Sequence, residues 1–270
     1  MAVRRAHVAH VTALAEHLDE QCQTERIDTA FQELNAAWPN LRAAVGYAAD
    51  EEGISSVVGS SRAVAGYADV FAVCEVGDWC DRAGLDEPLD DDGDVALAAE
   101  ALAAKARVLA HQGHLDRARA LADRAVELHE SHATVLSVVW CAYYTGQLDL
   151  VVELAPRLVE LSRSRRGFDR GCADGFAAIV VAVRQERDLT ETTIEASHAD
   201  DGVLGALDVL TEGFRLCTVR PRAAAELLEA VVETSIRNDY RLLLAAASTL
   251  TRSLCRPARP TRRWRRSVGH

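Results

Sequence analysis

The sequence predicts an all-α protein assembled from antiparallel helix pairs. Proline and glycine, which most often interrupt regular structure, number only 6 and 16 among 270 residues, and long stretches contain neither. Apolar residues recur at three- and four-residue steps, the spacing of an amphipathic helix. A helix–turn–helix unit also recurs after 33 residues, and a period of that length is typical of helical repeat arrays.

The N-terminal segment predicts a series of helices with one interruption. Residues 3–21 place valine and leucine on one helical face, and residues 25–37 continue the pattern. The residue before a proline avoids the α conformation, so we predict that the second helix ends near Ala37. Pro39 would then occupy the first turn of a third helix, and Trp38 would fill the corner between the two.

We predict two folded parts followed by a tail. Residues 53–85 favour two further helices and complete an N-terminal part over 1–88. The acidic segment DEPLDDDGD at its end is the clearest candidate for a domain boundary. Residues 89–254 would form the helical repeats. Residues 255–270 would form an arginine-rich tail without a fold of its own.

The central segment contains the repeat. AEALAAKARVLAHQGHLDRARALADRAVELHE predicts two helices joined at Gly113 by a Gly-x-Leu-Asp turn. YYTGQLDLVVELAPRLVEL repeats that turn at Gly146. A weaker copy without the glycine follows at 187–196. Another helix pair is predicted over 203–236, and a last helix over about 239–254.

This unit resembles the tetratricopeptide repeat in its period and residue types. The resemblance implies a right-handed superhelical array, a tetratricopeptide-like α-solenoid. Its second copy departs from the family at Val139, Val151 and Leu158, where smaller residues are usual. Two clear copies fall short of the ~3 repeats that such arrays need, so flanking helices must complete the stack. The first copy matches the consensus at Leu102, Ala106, Leu109, Gly113, Leu115, Ala118, Ala122 and Ala125.

Three N-terminal segments carry a more specific resemblance: RRAHVAHVTALAEHLDE, FQELNAAWPNLRAAVGYAAD and GDWCDRAGL. Together with the first repeats, they resemble the linker-and-repeat region of large actinobacterial STAND-type ATPase regulators. That family includes AfsR/SARP, LuxR-type and adenylate-cyclase-linked members. Its Asn-Leu-Arg-Ala-Ala segment matches residues 40–44, and a later Gly…Arg-Ala matches Gly77, Arg82 and Ala83.

The resemblance extends over residues 1–160 and implies the regulatory part of such a protein, not its ATPase. A P-loop places a lysine in GxxxxGK[ST], but the only lysine, Lys105, lies in AAKARV without a glycine loop. We therefore predict no enzyme activity, no catalytic residue and no cofactor. The expected function is a protein-interaction and sensor module of a signalling or transcriptional regulator, as a fragment or relative of a multidomain ATPase regulator.

The net charge and the cysteine content indicate which cellular compartment and which kinds of partner to expect for this chain. The net charge is −11, and the last twenty residues hold seven arginines and no acid. The rest of the chain is therefore strongly acidic, which disfavours non-specific nucleic-acid binding. Seven cysteines without a CxxC motif predict a reducing cytoplasm. No signal peptide and no apolar run near the ~20 residues that span a bilayer is evident, so no membrane partner is expected.

The tail RPARPTRRWRRSVGH leaves several interpretations open. Its arginines flank Trp264, a composition that suits phosphate contact with base stacking, or a membrane surface. It supports the alternative function, a regulator that binds nucleic acid through this tail. A disordered solubilising end, or an out-of-frame translation of a GC-rich gene, would explain the same composition.

Two patterns suggest metal ligands, and both have simpler explanations. DDDGD at 90–94 puts Ala99 where a calcium loop needs a glutamate, so we interpret it as an exposed linker. Three HxxH pairs have the i, i+3 spacing that places two imidazoles on one helix face, but the second pair straddles a predicted turn and no third ligand accompanies any of them. We predict ordinary surface histidines. The pairs are His7/His10, His111/His114 and His129/His132.

The best candidate for partner binding is the concave face of the repeats. The tetratricopeptide resemblance implies that the first helix of each pair lines this face. It contributes Arg107 and His111 from the first copy, and Trp140, Tyr143 and Tyr144 from the second. Aromatic and arginine side chains are frequent interface anchors, and a protein or peptide would be the partner. The alternative is that these residues belong to the core and are covered by the next helix.

Overall fold

The computed structural model of the chain is all-α, as predicted. It describes residues 2–24, 26–51, 54–84, 95–184 and 202–254. These residues contain thirteen helices and no strand. The helices are α1 (Ala2–Cys22), α2 (Ile27–Glu51), α3 (Ile54–Ala63), α4 (Ala65–Phe71), α5 (Glu75–Arg82), α6 (Val95–His111), α7 (Leu115–Leu128), α8 (His132–Tyr144), α9 (Leu148–Leu161), α10 (Gly167–Arg184), α11 (Val203–Leu216), α12 (Pro221–Asn238) and α13 (Arg241–Leu254).

Helices adjacent in sequence pack together along the chain. α6 lies against α7 and also against α8, α10 lies between α9 and α11, and α12 packs on α11 and α13. Contacts between neighbouring and alternate helices are typical of stacked helix pairs. The right-handed superhelical array itself stays a prediction.

The two predicted repeat turns are confirmed at Gly113 and Gly146. Both glycines have left-handed backbone angles, with φ of 85° and 72°. At the first turn, the His114 N–H donates to the Leu109 carbonyl at 2.9 Å, and the equivalent bond of the second turn is 2.8 Å. These bonds satisfy carbonyls that the helix end leaves unpaired, and glycine takes this conformation at the lowest steric cost.

The prediction that a helix ends near Ala37 is wrong, because α2 continues through Pro39. Pro39 is exposed, so water can hydrate the carbonyl whose helical hydrogen bond is missing. Packing next to the proline holds the helix together. Trp38 stacks on Trp79 at 5.3 Å between ring centroids and donates its indole N–H to Glu75 at 2.6 Å. These contacts offset the ~3 kcal/mol that a proline costs inside a helix.

The remaining helix predictions have mixed outcomes. Residues 54–84 form three helices rather than two, whereas the pair over 203–236 and the last helix are confirmed. The weaker repeat copy at 187–196, the acidic segment before α6 and the tail all lie outside the described residues. Within the described part, every helix is too short or too polar to cross a membrane.

Helix α6 lies at the centre of the fold. Helices α3, α4, α5, α7 and α8 all pack against it. Its alanines allow these close approaches, and most of its residues from Ala98 to Ala110 are buried. Two of the buried residues are charged, Lys105 and Arg107. A buried charge is unfavourable unless it is paired, so the partners of these two residues shape the surroundings of the predicted groove.

Candidate functional site

The first predicted groove residue, Arg107, forms a buried ion pair with Asp69 of α4. Its side chain is 4% exposed and that of Asp69 2%, and the Nε–Oδ2 distance is 2.8 Å. The guanidinium also donates to the Ala133 carbonyl at 3.3 Å. Arg107 therefore links α4, α6 and the start of α8. Its charged group faces the protein interior in this structure.

His111 connects the same carboxylate to Tyr144. Its Nε2 lies 3.4 Å from Asp69 Oδ1, and its Nδ1 lies 3.0 Å from the Tyr144 hydroxyl. An imidazole with its proton on Nε2 could accept from Tyr144 at Nδ1, whereas Nε2 forms no hydrogen bond with any described residue despite its proximity to Asp69. Burial, followed by the charge of Asp69, raises the pKa of Tyr144 well above its usual range. The phenol thus stays protonated and can act as the donor.

Trp140 is the centre of an aromatic cluster. Its ring stacks on Tyr144 at 5.6 Å with an 18° interplanar angle, and Phe176 of α10 meets it edge-on at 5.1 Å. Tyr143 lies 6.3 Å away, and His111 6.0 Å. The structure therefore brings four of the five predicted groove residues into one cluster, with Arg107 beside it on α6.

A small apolar pocket opens beside this cluster. Its volume is about 50 Å³, and Trp140 and Tyr143 form part of its wall. The indole Nε1 of Trp140 is buried and has no hydrogen-bond partner among the residues that the structure describes. The remaining wall comes from α10, α11 and α13, and includes Phe176, Leu207, Leu210, Phe214 and Leu243. The surface of the pocket is thus almost wholly apolar.

The prediction of surface histidines is wrong at two positions. His111 contacts Asp69, as described. His132 is 4% exposed, and its Nδ1 lies 3.7 Å from Asp169 Oδ2. Burial lowers the pKa of His132, and the nearby charge of Asp169 opposes that shift. His7, His10, His114 and His129 are exposed, as predicted.

A second polar cluster, missed by sequence reasoning, surrounds Asp19 where α1, α3, α6, α8 and α10 meet. Arg62 lies 3.8 Å from its carboxylate, and Arg165 lies 3.3 Å from Asp169. Burial, followed by the charge of Asp169, raises the pKa of Asp19 to about 7, against the opposing charge of Arg62. This carboxyl group can therefore exchange its proton near neutral pH.

Other partners of the buried charges were also absent from the sequence reasoning. Lys105 is fully buried, and its Nζ lies 2.6 Å from Asp81. Asp69 lies in the apolar stretch YADVF, and an isolated carboxylate in such a stretch is the signal that could have identified it. Cys80 is buried, and its thiol donates to the Ala101 carbonyl at 3.7 Å.

No protein-family model matches this chain, and comparisons with curated proteins and with solved structures find no significant match. The resemblance to STAND-type regulators and the division into residues 1–88 and 89–254 therefore stay predictions. Binding of nucleic acid through the arginine-rich tail also stays a prediction, because Trp264 and its flanking arginines lie outside the described residues.

Proposed function

We propose that this chain is a non-enzymatic interaction and sensor module of a signalling or transcriptional regulator. It would be a cytoplasmic, right-handed tetratricopeptide-like array, related to the repeat region of STAND-type ATPase regulators. The recurring turns at Gly113 and Gly146 support the repeat assignment. The packing of consecutive and alternate helices supports the paired architecture.

The observation that carries this proposal is the unpaired indole of Trp140. A buried donor without a partner costs about 1–3 kcal/mol, and proteins rarely retain one without a reason. The indole N–H stands beside an apolar pocket of about 50 Å³, room for a few water molecules or a small apolar group. A partner segment could place an apolar side chain in this pocket and a backbone carbonyl on the indole.

The rest of the predicted groove would support this contact. Tyr144 stacks on Trp140 and is held by His111, so the indole has a fixed orientation. Arg107 and Asp69 fix the helix that carries His111. In this arrangement Trp140 and Tyr143 contact the partner, whereas Arg107, His111 and Tyr144 position them. Preorganised aromatic anchors of this kind reduce the entropy lost on binding.

The experiment is site-directed photo-crosslinking in extract of the source cell. Tyr143 is replaced by benzoylphenylalanine, and the crosslinked peptide is identified by mass spectrometry. The proposal expects one protein partner crosslinked within an apolar segment. Trp140→Phe in the same chain should abolish the crosslink, because it keeps an aromatic ring but removes the N–H. Trp79→Phe, a buried tryptophan stacked on Trp38, is the matched control and should preserve it. Equal crosslinking by both variants would contradict the role of Trp140.

A further inference from the structure

A large cleft separates the N-terminal helices α2 and α4 from the turn between α12 and α13. Its volume is about 740 Å³, within the ~300–1,000 Å³ of typical small-molecule sites. The cleft and the Trp140 pocket share no lining residue, although helix α13 contributes to both. Asp28 ties its walls together, since it accepts hydrogen bonds from Tyr240 at 2.8 Å and from the Val203 backbone at 3.0 Å.

Aromatic side chains form a continuous wall of this cleft. Tyr67 lies at its centre, with ring centroids 4.7 Å from Phe71, 5.2 Å from Trp38 and 5.6 Å from Phe31. Tyr240 extends the wall from the opposite side, 5.9 Å from Phe71. Four of these rings are buried and Phe71 is half-buried. Because an aromatic ring carries negative electrostatic potential on its faces, the part of the wall that reaches the cleft favours a cation or a flat apolar group.

The charged groups of the cleft leave an acidic excess. Asp28, Asp239 and Arg241 line it. Arg241 is paired with Asp239, with an Nη2–Oδ2 distance of 3.1 Å. Among the described residues that line the cleft, Asp28 is therefore the carboxylate whose charge no cation offsets. The acidic excess of the whole chain acts in the same direction, because it raises the local concentration of cations.

We propose that this cleft binds a small organic cation, a protonated or quaternary ammonium attached to an apolar group. The ammonium would lie against the aromatic wall, where cation–π attraction acts, and near the carboxylate of Asp28. The negative charge of Asp28 would repel an organic anion. An inorganic divalent ion needs several oxygen ligands, which the aromatic wall does not provide.

The ligand would also bridge the two ends of the described chain. Phe31, Trp38 and Tyr67 belong to the N-terminal helices, whereas Tyr240 belongs to the α12–α13 turn. A ligand that contacts both sides binds only the closed arrangement. It should therefore raise the melting temperature, with a stabilisation that grows with the logarithm of the free ligand concentration above the Kd. This inference is independent of partner binding at Trp140, because the two cavities share no lining residue.

The test compares three benzyl probes by isothermal titration calorimetry, with thermal melting as a second readout. Benzyltrimethylammonium is the cation, neopentylbenzene its neutral isostere and phenylacetate the anion. We expect saturable binding of the cation, roughly tenfold tighter than that of the neutral isostere, and no binding of the anion. Failure of the cation to bind the intact chain, or equal affinity for the neutral probe, would overturn the proposal.

Two variants locate the binding in the cleft. Asp28→Asn removes the unpaired charge, and Phe71→Leu removes one aromatic face with little change in volume. Each should weaken cation binding several-fold. If Asp28→Asn fails to fold, the binding affinity of Phe71→Leu alone tests whether the cation binds in this cleft. Phe168→Leu is the control, because Phe168 is a buried phenylalanine of α10 that does not line the cleft. Unchanged binding by Phe71→Leu would contradict the assignment to this site.

Discussion

The phenol of Tyr240 donates a hydrogen bond of 2.8 Å to the carboxylate of Asp28, across 212 residues of sequence. The same oxygen of Asp28 accepts from the Val203 N–H at the start of α11. One carboxylate thus connects α2 to the first turn of α11 and to the turn before α13. A negative charge is favourable at a helix N-terminus, so both contacts reinforce closure of the two ends of the described chain.

We expect Asp28 and Tyr240 to be energetically coupled. Asp28→Ala, Tyr240→Phe and the double variant form a double-mutant cycle, measured as free energies of unfolding in urea. The coupling energy should be about 1–2 kcal/mol, as for a hydrogen bond to a charged group. Tyr67→Phe is the control, because Tyr67 donates to the exposed Asn35 and its loss should cost less. Additive effects of Asp28→Ala and Tyr240→Phe would mean that the bond contributes nothing to stability.

Asp69 should be the costliest single carboxylate to remove near the predicted groove. Asp69→Asn leaves Arg107 buried without its counter-charge, which should lower the free energy of unfolding by about 3–5 kcal/mol. Asp123→Asn breaks the exposed pair with Arg119 on α7 and should cost at most ~0.5 kcal/mol. The double variant Asp69→Leu/Arg107→Met should recover much of the loss, because it removes both charges. Similar losses of unfolding free energy in Asp69→Asn and Asp123→Asn would contradict the importance of burial.

Asp19 should make the protein less stable as pH rises towards neutral. Its pKa is about 7 in the folded chain and 3.8 as an ordinary aspartate, so between these values the folded state binds more protons than the unfolded state. The stability that Asp19 contributes is therefore fully present below pH 4, and it is lost as the pH rises to about 7.

Asp19→Asn should remove this dependence and raise the melting temperature at pH 8 relative to the wild type, with a smaller difference at pH 5. His132 acts in the opposite direction, because burial lowers its pKa and its contribution is lost as pH falls below about 6.5. Replacement of an exposed carboxylate, as in Asp149→Asn, should leave the pH profile unchanged. An equal difference at both pH values would contradict the role of Asp19.

Two glycine-to-alanine substitutions should change the stability of the protein in opposite directions. Gly113 has φ of +85°, where a β-carbon costs about 1–2 kcal/mol, so Gly113→Ala should lower the melting temperature. Gly59 lies inside α3, and an added β-carbon would meet Thr12 at an ordinary 3.6 Å. Gly59→Ala should therefore stabilise the protein by about 0.5–1 kcal/mol. Calorimetric melting of the two variants measures both effects, and destabilisation by Gly59→Ala would refute the second.

Sequence reasoning succeeded where the determining interaction is local. The ends of α6 and α8 were predicted because a glycine with positive φ is a short-range signal. It failed at Pro39, where the local preference of proline opposes the helix and distant contacts of Trp38 with Glu75 and Trp79 prevail. It also failed at His132, since Asp169, whose carboxylate lies 3.7 Å from the buried imidazole, is on another helix.

The sequence by itself determined the helical class, the positions of the repeat turns and the side chains that would share the predicted groove. Periodicity and turn chemistry act over a few residues, so they can be seen without coordinates. Only the tertiary structure decided that Arg107 meets Asp69, that Trp140 keeps an unpaired N–H and that Asp28 joins Tyr240. These relationships depend on how helices that are distant in sequence pack together. The residues that other helices place beside a charge or a hydrogen-bond donor decide whether it finds a partner.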